Sequence, residues 1–248
     1  MNAIAQLIHL FIPYECVSCG RVFSLLCDNC VTKIKLFSPH CVYCQKTSSQ
    51  GRIHTHCKMN DYCADFSFIL FHYSNVIKKI FYTFKYEEAY SYGDIIKELL
   101  KSYSEVDPFL LWKHINSFKR ISIIPVPMHW TKQMRRGFSP AKMIGEWLKQ
   151  ILKSEVHIAE KIVVKIRPTK KQAGLSKRER LKNQSNVFET ESKKLIEHVQ
   201  AFNPDILLIV DDVLSSGATV NSVVEVIKKS METHNIKIQV GIFAIARG

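Results

Sequence analysis

Two adjacent acids, followed by small hydroxylated residues and a glycine, carry the most specific chemistry in this sequence: Asp211-Asp-Val-Leu-Ser-Ser-Gly-Ala-Thr219. They come directly after Ile206-Leu-Leu-Ile-Val210, a continuous apolar run of the kind that makes a parallel strand covered on both faces. A helix is expected from Ala218 to Lys229, so the segment reads as strand, turn and helix. In such a turn Gly217 lets the backbone approach an anion closely. The turn amides and the helix dipole favour a phosphate there, and Ser215, Ser216 and Thr219 add hydroxyl donors. Asp211 and Asp212 would repel a phosphate they faced, but they suit the hydroxyls of a sugar. Asp211, Asp212, Ser215, Ser216, Gly217, Ala218 and Thr219 together have the chemistry of a ribose 5-phosphate cradle.

A second chemistry lies near the other end. All eight cysteines fall between Cys16 and Cys63. Six of them form the pairs Cys16-Val-Ser-Cys19, Cys27-Asp-Asn-Cys30 and Cys41-Val-Tyr-Cys44, and Cys57 and Cys63 follow at looser spacing. A C-x-x-C turn aims two thiolates at one point, and two such turns complete the tetrahedron that zinc takes. Cys16, Cys19, Cys27 and Cys30 can close one site; Cys41, Cys44, Cys57 and Cys63 can close a second. His54 or His56 can replace a cysteine there, although solvated loop residues are the favoured reading of both histidines, and one occupied plus one degenerate site is also compatible. With no secretory signal read at the N-terminus, structural zinc is expected rather than a disulfide framework.

These groups need elements to position them. Residues 1–64 are expected to form an N-terminal helix and a small zinc-binding domain, and residues 65–248 an α/β domain. In the latter, Phe66 to Tyr73 has strand length and Asn75 to Phe84 has helical spacing, repeated from Tyr92 to Tyr103. Arg120 to Pro125 reads as a buried strand, Pro140 to Leu152 as a helix, Asp205 to Val210 as the central strand and Ile236 to Ala244 as the last. Alternating strands and helices predict a doubly wound parallel sheet, with ligands at the carboxyl ends of its strands.

The net charge of +13 calls for a polyanionic partner. Between Lys132 and Lys182 there are fifteen Lys and Arg against four acids. Within that span Lys132, Arg136, Arg167, Lys170, Lys171, Lys177, Arg178, Arg180 and Lys182 are candidate contacts to single-stranded DNA. The stretch from Lys165 to Lys182 should be a loop or hood beside the site, gripping backbone phosphates with steep salt dependence and little base preference. The alternative is a charged flap that only closes over a phosphorylated ligand. No run reaches the roughly 20 apolar residues that span a bilayer. Met1 to Pro13 reads as a short amphipathic helix docked on the body, with peripheral contact to the inner membrane as the other option.

The stretch Ile209 to Thr219 resembles the phosphoribosyl-pyrophosphate (PRPP) binding motif of type I phosphoribosyltransferases. That resemblance implies the same fold, with Asp211 and Asp212 on the ribose 2′- and 3′-hydroxyls, Ser215 to Thr219 around the 5-phosphate, and Mg2+ bridging ribose and pyrophosphate. The loop Pro125 to Met128 becomes the pyrophosphate loop, with Arg135, Arg136 and Lys85 as clamps. More broadly, the cysteine pairs, Phe84-Lys-Tyr86, Ile124-Pro-Val-Pro127, Arg136-Gly-Phe138 and Gln172 to Leu175 with Arg180, Asn183 and Phe188 are similar to the ComF-type competence proteins. That group usually has Asn-Gln where Ser139-Pro140 stands and two threonines at Ser215 and Ser216. The resemblance implies cytoplasmic handling of incoming single-stranded DNA in natural transformation. It leaves two other readings: a phosphoribosyltransferase on a small acceptor, or a non-catalytic PRPP sensor whose zinc region docks a helicase or another transformation protein. Serine at position 215 cannot give the help that an aspartate gives a purine base there, which disfavours purine salvage.

Overall fold

The computed structural model describes residues 15–58, 63–86, 89–106, 111–167 and 187–248. Its centre is a five-stranded, all-parallel sheet in the order β1-β7-β6-β2-β3. The strands are β1 (Phe66–His72), β2 (Arg120–Pro125), β3 (Glu155–Ile158), β6 (Ile206–Leu214) and β7 (Gln239–Arg247). A second, antiparallel ribbon pairs β4 (Val163–Lys165) with β5 (Phe188–Thr190).

The continuous apolar runs mark strands covered on both sides. Along β6, Ile206, Leu208 and Val210 enter one core while Leu207, Ile209 and Leu214 enter the other. The first core is closed by α2 (Asn75–Tyr86), α3 (Ala89–Val106), α4 (Leu111–Ile115) and α6 (Pro140–Ile151), through side chains such as Ile80, Phe84, Leu100 and Ile144. The second is closed by α7 (Ser192–Phe202) and α8 (Ala218–Thr233), through Leu195, Val220, Val223, Val224 and Ile227. The doubly wound α/β architecture expected from the sequence is therefore present. No helix among the described residues is long and apolar enough to cross a membrane.

The strand order locates the site. From β2 the chain crosses by α6 to β3 on one side, whereas from β6 it crosses by α8 to β7 on the other. The carboxyl ends of β2 and β6 thus flank the topological switch point, where sheets of this class open a crevice. The short helix α5 (Trp130–Arg136) rises from the β2 side of that crevice.

The cysteine-bearing segment wraps the β1 edge. Phe37 N donates to Leu70 O at 2.8 Å and His72 N to Lys35 O at 2.9 Å, which protects an otherwise open strand. Cys16, Cys27 and Cys30 pack into the first core; Phe37, Cys41, Val42 and Ile53 pack into the second. Between them α1 (Asp28–Val31) supplies the Cys27–Cys30 turn.

Three expectations shift. The central strand does not stop at Val210: it runs to Leu214, because β7 keeps pairing with it through Leu214↔Arg247. Asp211 and Asp212 accordingly lie in the strand, not in the turn. The last strand begins at Gln239 rather than Ile236. Helix α5 and strands β3 to β5 are too short to carry a strong period and become visible only through their tertiary partners, whereas α7 carries the helical spacing Leu195, Val199 and Phe202, which sequence reasoning missed. Residues 1–14, including the expected amphipathic helix, lie outside the described residues.

Candidate functional site

Strand β2 ends its pairing with β6 at Pro125↔Val210, and the following amide, Val126 N, donates to Val210 O at 2.8 Å. From Asp211 onward β6 has β7 on one side and the crevice on the other. Asp211 Oδ1 accepts from Asp212 N at 2.9 Å, and Asp212 Oδ1 accepts from Val213 N at 2.6 Å. These bonds fix both carboxylates at the crevice. The other oxygen of Asp212, Oδ2, meets Lys85 Nζ at 2.6 Å.

Lys85 arrives there because α2 buries Val76, Ile77, Ile80, Phe81 and Phe84, which leaves the last turn aimed at the end of the sheet. Burial opposes its charge, but the ion pair with Asp212 and the nearby Asp211 prevail and raise its pKa. Asp211 goes the other way. Burial, and then the negative charge of Asp212, push its carboxyl up to about 7 against the pull of Lys85 and Lys165.

Beside the ion pair is a cavity of about 270 Å³ lined by Phe84, Lys85, Tyr86, Lys132, Arg135, Arg136 and Phe138. Helix α5 supplies Lys132, Arg135 and Arg136. His129 caps its start, and Gly137, at φ 80°, ends it by donating its amide to Gln133 O at 2.7 Å. The Arg136 guanidinium lies 5.2 Å above the Tyr86 ring, which holds its planar fork in place. A fifth cation was not singled out by sequence reasoning: Lys165, at the end of β4. Burial and neighbouring Lys132 lower its pKa to about 8, while Asp211 draws it back up. Nothing in the local sequence separates Lys165 from the basic run it begins.

The turn Ser215–Gly217 joins the acids to α8. Gly217 has φ 75°, a left-handed value that glycine adopts without strain. Helix geometry leaves the first-turn amides of α8 without intrahelical acceptors. Ser216 Oγ takes one, Ala218 N, at 3.3 Å. The predicted set Asp211, Asp212, Ser215, Ser216, Gly217, Ala218 and Thr219 is thus contiguous along one strand end, turn and helix start, and Lys85 is tied to it directly. Of the expected DNA contacts, Lys132 and Arg136 line the cavity, and Arg167 is exposed just past the β4–β5 stem. Lys170, Lys171, Lys177, Arg178, Arg180 and Lys182 lie outside the described residues.

Seven of the eight cysteines, with His54, form two clusters that can hold a metal ion, and all eight thiols are free of disulfides. In each cluster the ligand atoms lie within 4.8 Å of one another. The first is Cys16, Cys19, Cys27 and Cys30, as its two C-x-x-C turns predict. Its Cys19–Cys27 sulfur separation of 3.6 Å is close to the edge, about 3.8 Å, of a tetrahedron with 2.3 Å zinc–sulfur bonds. The second is Cys41, Cys44, His54 and Cys57, with Cys44 Sγ 3.2 Å from His54 Nδ1. Here the expected ligand set is corrected: Cys63 is not in this group. The chain has turned onto the body by that point, with Ala64 N donating to Tyr43 Oη at 3.0 Å and the Cys63 thiol reaching Cys57 O at 3.8 Å. His54 takes its place, while His56 stacks on His54 at 5.3 Å.

The thiols are set against one another. Burial pushes Cys16 up, but amide donors from Cys27, Cys19 and Ser18 outweigh it and hold the thiol near 6. Ser18 favours the Cys30 thiolate, yet burial and the three neighbouring thiols push it up to about 11. A nest of mutually repelling thiolates, buried except for Cys19, fits a soft divalent cation, whose charge lets all of them ionise.

Fold and site together define a doubly wound α/β protein with an acid pair and a basic cavity at its switch point, and two metal-ligand clusters along one edge. No known family profile matches the chain. It is similar to Competence protein F of Haemophilus influenzae (strain ATCC 51907 / DSM 11121 / KW20 / Rd): 26% identical over 225 residues, covering 88% of this chain and 93% of that one. A likeness spread over nearly the whole of both chains supports the ComF-type resemblance carried by the motifs.

Proposed function

We propose that this chain binds magnesium-complexed PRPP at the carboxyl end of β6 and acts on single-stranded DNA in natural competence. One observation carries the reading: the Lys85–Asp212 ion pair joins the acid pair of β6 to a cavity holding Lys85, Lys132, Arg135 and Arg136. Sugar-hydroxyl acceptors thus sit next to pyrophosphate donors, at the switch point between β2 and β6. Ribose goes to Asp211 and Asp212, the 5-phosphate to Ser215–Thr219, and the pyrophosphate to the four cations. Carboxylate and phosphate oxygens are the donors Mg2+ takes, so Asp211 and Asp212 fit that ion, whose chemistry is to screen pyrophosphate charge. The similarity to Competence protein F supports the role in competence.

Calorimetric titration of PRPP and Mg2+ into the metal-loaded chain tests the site; absence of binding defeats the proposal. The pH dependence is specific. The Asp211 carboxyl is held near 7, and the ligand requires its ionised form, so affinity rises between pH 6 and pH 8. Stability of the free protein runs the opposite way. A carboxyl raised in the folded state favours folding when protonated, so its contribution falls as pH climbs from about 4 through 7. A flat binding profile across that window would remove Asp211 from the ligand site.

The DNA surface extends the same patch. Trp130 is 64% exposed and Tyr82 and Tyr86 are each 58% exposed; the two tyrosine rings are 5.2 Å apart on α2. These offer stacking faces beside Lys132 and Arg136, more than the sequence of the basic loop provides. In gel-shift titrations, affinity for single-stranded DNA should drop about 50-fold between 50 and 200 mM salt if four phosphates are neutralised. No shift even at the lower salt rejects the DNA role and leaves the PRPP site standing.

A further inference from the structure

Arg247 is the last residue of β7, register-paired with Leu214, the strand residue just before the Ser215–Gly217 turn. The next amide, Gly248 N, donates to Leu214 O at 3.0 Å. Its side chain turns inward and is 4% exposed, a rare place for a guanidinium. Nη2 donates to Val42 O at 3.1 Å, and Nη1 has no hydrogen-bond partner among the described residues. Burial works against its positive charge and lowers its pKa, and Cys41 is the group that opposes this.

Val42 lies between two ligands of the second cluster, Cys41 and Cys44. It is 3% exposed, and its Cγ2 is 3.8 Å from the point where a Cβ on Gly217 would stand. The same C-x-x-C turn therefore supplies two of the four ligands of the second cluster, anchors a buried arginine and backs the turn that opens α8. A divalent metal on three thiolates and a neutral imidazole leaves one net negative charge. That is a fixed counter-charge at the turn to which Arg247 is bonded, and a buried cation without one is costly.

We propose that metal occupancy of the Cys41, Cys44, His54 and Cys57 cluster and sugar-phosphate binding at Ser215–Thr219 are energetically coupled through Arg247 and Val42. The metal fixes the Cys41–Cys44 turn and gives Arg247 its partner. Arg247 then pins the end of β7 against Leu214, and Val42 backs Gly217, so the turn is held in its anion-binding shape before the ligand arrives. This regulation rests on the phosphate reading of the turn. Because coupling is reciprocal, a bound sugar phosphate must raise the affinity for that metal by the same factor as the metal tightens the ligand, and slower metal loss is its readout.

The full chain loaded with Co2+ provides the test, since a ligand set of three sulfurs and one nitrogen absorbs differently from four sulfurs. Release to a chelator is followed for each cluster, with and without ribose 5-phosphate. Release from the second cluster should slow about tenfold with the sugar phosphate, while the four-cysteine cluster is unaffected. Arg247→Met should abolish that protection and Arg247→Lys should keep part of it. If calorimetry shows ribose 5-phosphate bound but release from the second cluster is unchanged, the coupling is wrong and the phosphate site survives. Protection undiminished in Arg247→Met likewise overturns the role of Arg247. If ribose 5-phosphate does not bind the metal-loaded wild type at all, the phosphate reading itself falls and the coupling goes with it.

Discussion

Asp212→Asn should weaken PRPP binding about 100-fold and lower the melting temperature, while Asp211→Asn should weaken binding equally and leave the melting temperature unchanged or higher. Both substitutions keep size and remove charge, yet the two carboxylates have opposite electrostatic positions. Asp212 is the partner of Lys85 at 2.6 Å, and both side chains are largely covered. Neutralising it leaves a buried ammonium without its counter-ion, and breaking a buried pair from one side costs about 3–5 kcal/mol. Exposure at the crevice places this case at the lower end of that range. Asp211 is already strained as an anion, with burial and Asp212 holding its carboxyl near 7, so an amide relieves the folded state at neutral pH. Each loses a charged acceptor for a ribose hydroxyl; one hydrogen bond to a charged group is worth about 1.5–3 kcal/mol, and about 2.8 kcal/mol is the equivalent of 100-fold. Calorimetry with thermal melts separates the two effects. Wild-type affinity in either variant would show that the acids do not hold the ligand. Equal melting temperatures in the two variants would show that the Lys85 pair does not support the fold.

Asymmetry of this kind also marks how far the sequence could be read. The strand, turn and helix around Gly217 were legible because each signal is local: an unbroken apolar run, two acids, small residues, then helical spacing. The first metal cluster was legible for the same reason, since each C-x-x-C turn sets its own geometry. What the sequence could not show depends on partners distant in the chain. That β6 continues through Asp212 is decided by Arg247, more than thirty residues later, which keeps the pairing with β7 going. That Cys63 leaves the second cluster to His54 is decided by where the chain joins the body, at the Tyr43–Ala64 contact. Lys165 looks like one basic residue among many until the β4–β5 ribbon places it among Lys132 and Asp211. The tyrosine under Arg136 belongs to a helix that an apolar period predicts, but its solvent face has no period to read.

Metal removal should have the largest effect of all, and the packing determines its reach. Read from the sequence, the cysteine segment is a separate unit that unfolds alone when chelated and leaves the α/β body mostly intact. The structure ties that segment to both cores: Cys16, Cys27 and Cys30 to the one that contains Phe81 and Phe84, and Phe37, Cys41, Val42 and Ile53 to the one that contains Leu214 and Val220. It also closes the edge of β1 through Phe37 N and His72 N. A structural zinc site contributes about 10–16 kcal/mol of apparent binding energy, comparable to the whole stability of an ordinary domain. Most of that is spent locally in ordering a segment too polar to bury a core of its own. If about 5 kcal/mol reaches the body through the shared cores, the melting temperature of a chain this size falls by about 10–20 °C. Chelator treatment at 25 °C should therefore open residues 15–58 to protease first, keep most of the helical circular dichroism, and lower the melting temperature of the remaining body by that amount. An unchanged melt would mean the shared cores transmit nothing. Complete unfolding at 25 °C would mean that β2, β6 and β7, with the helices on either face, cannot hold together without the metal-bound edge. The central strands are buried on both faces by α2, α6 and α8, none of which contains a ligand, and that is the physical reason to expect the intermediate outcome.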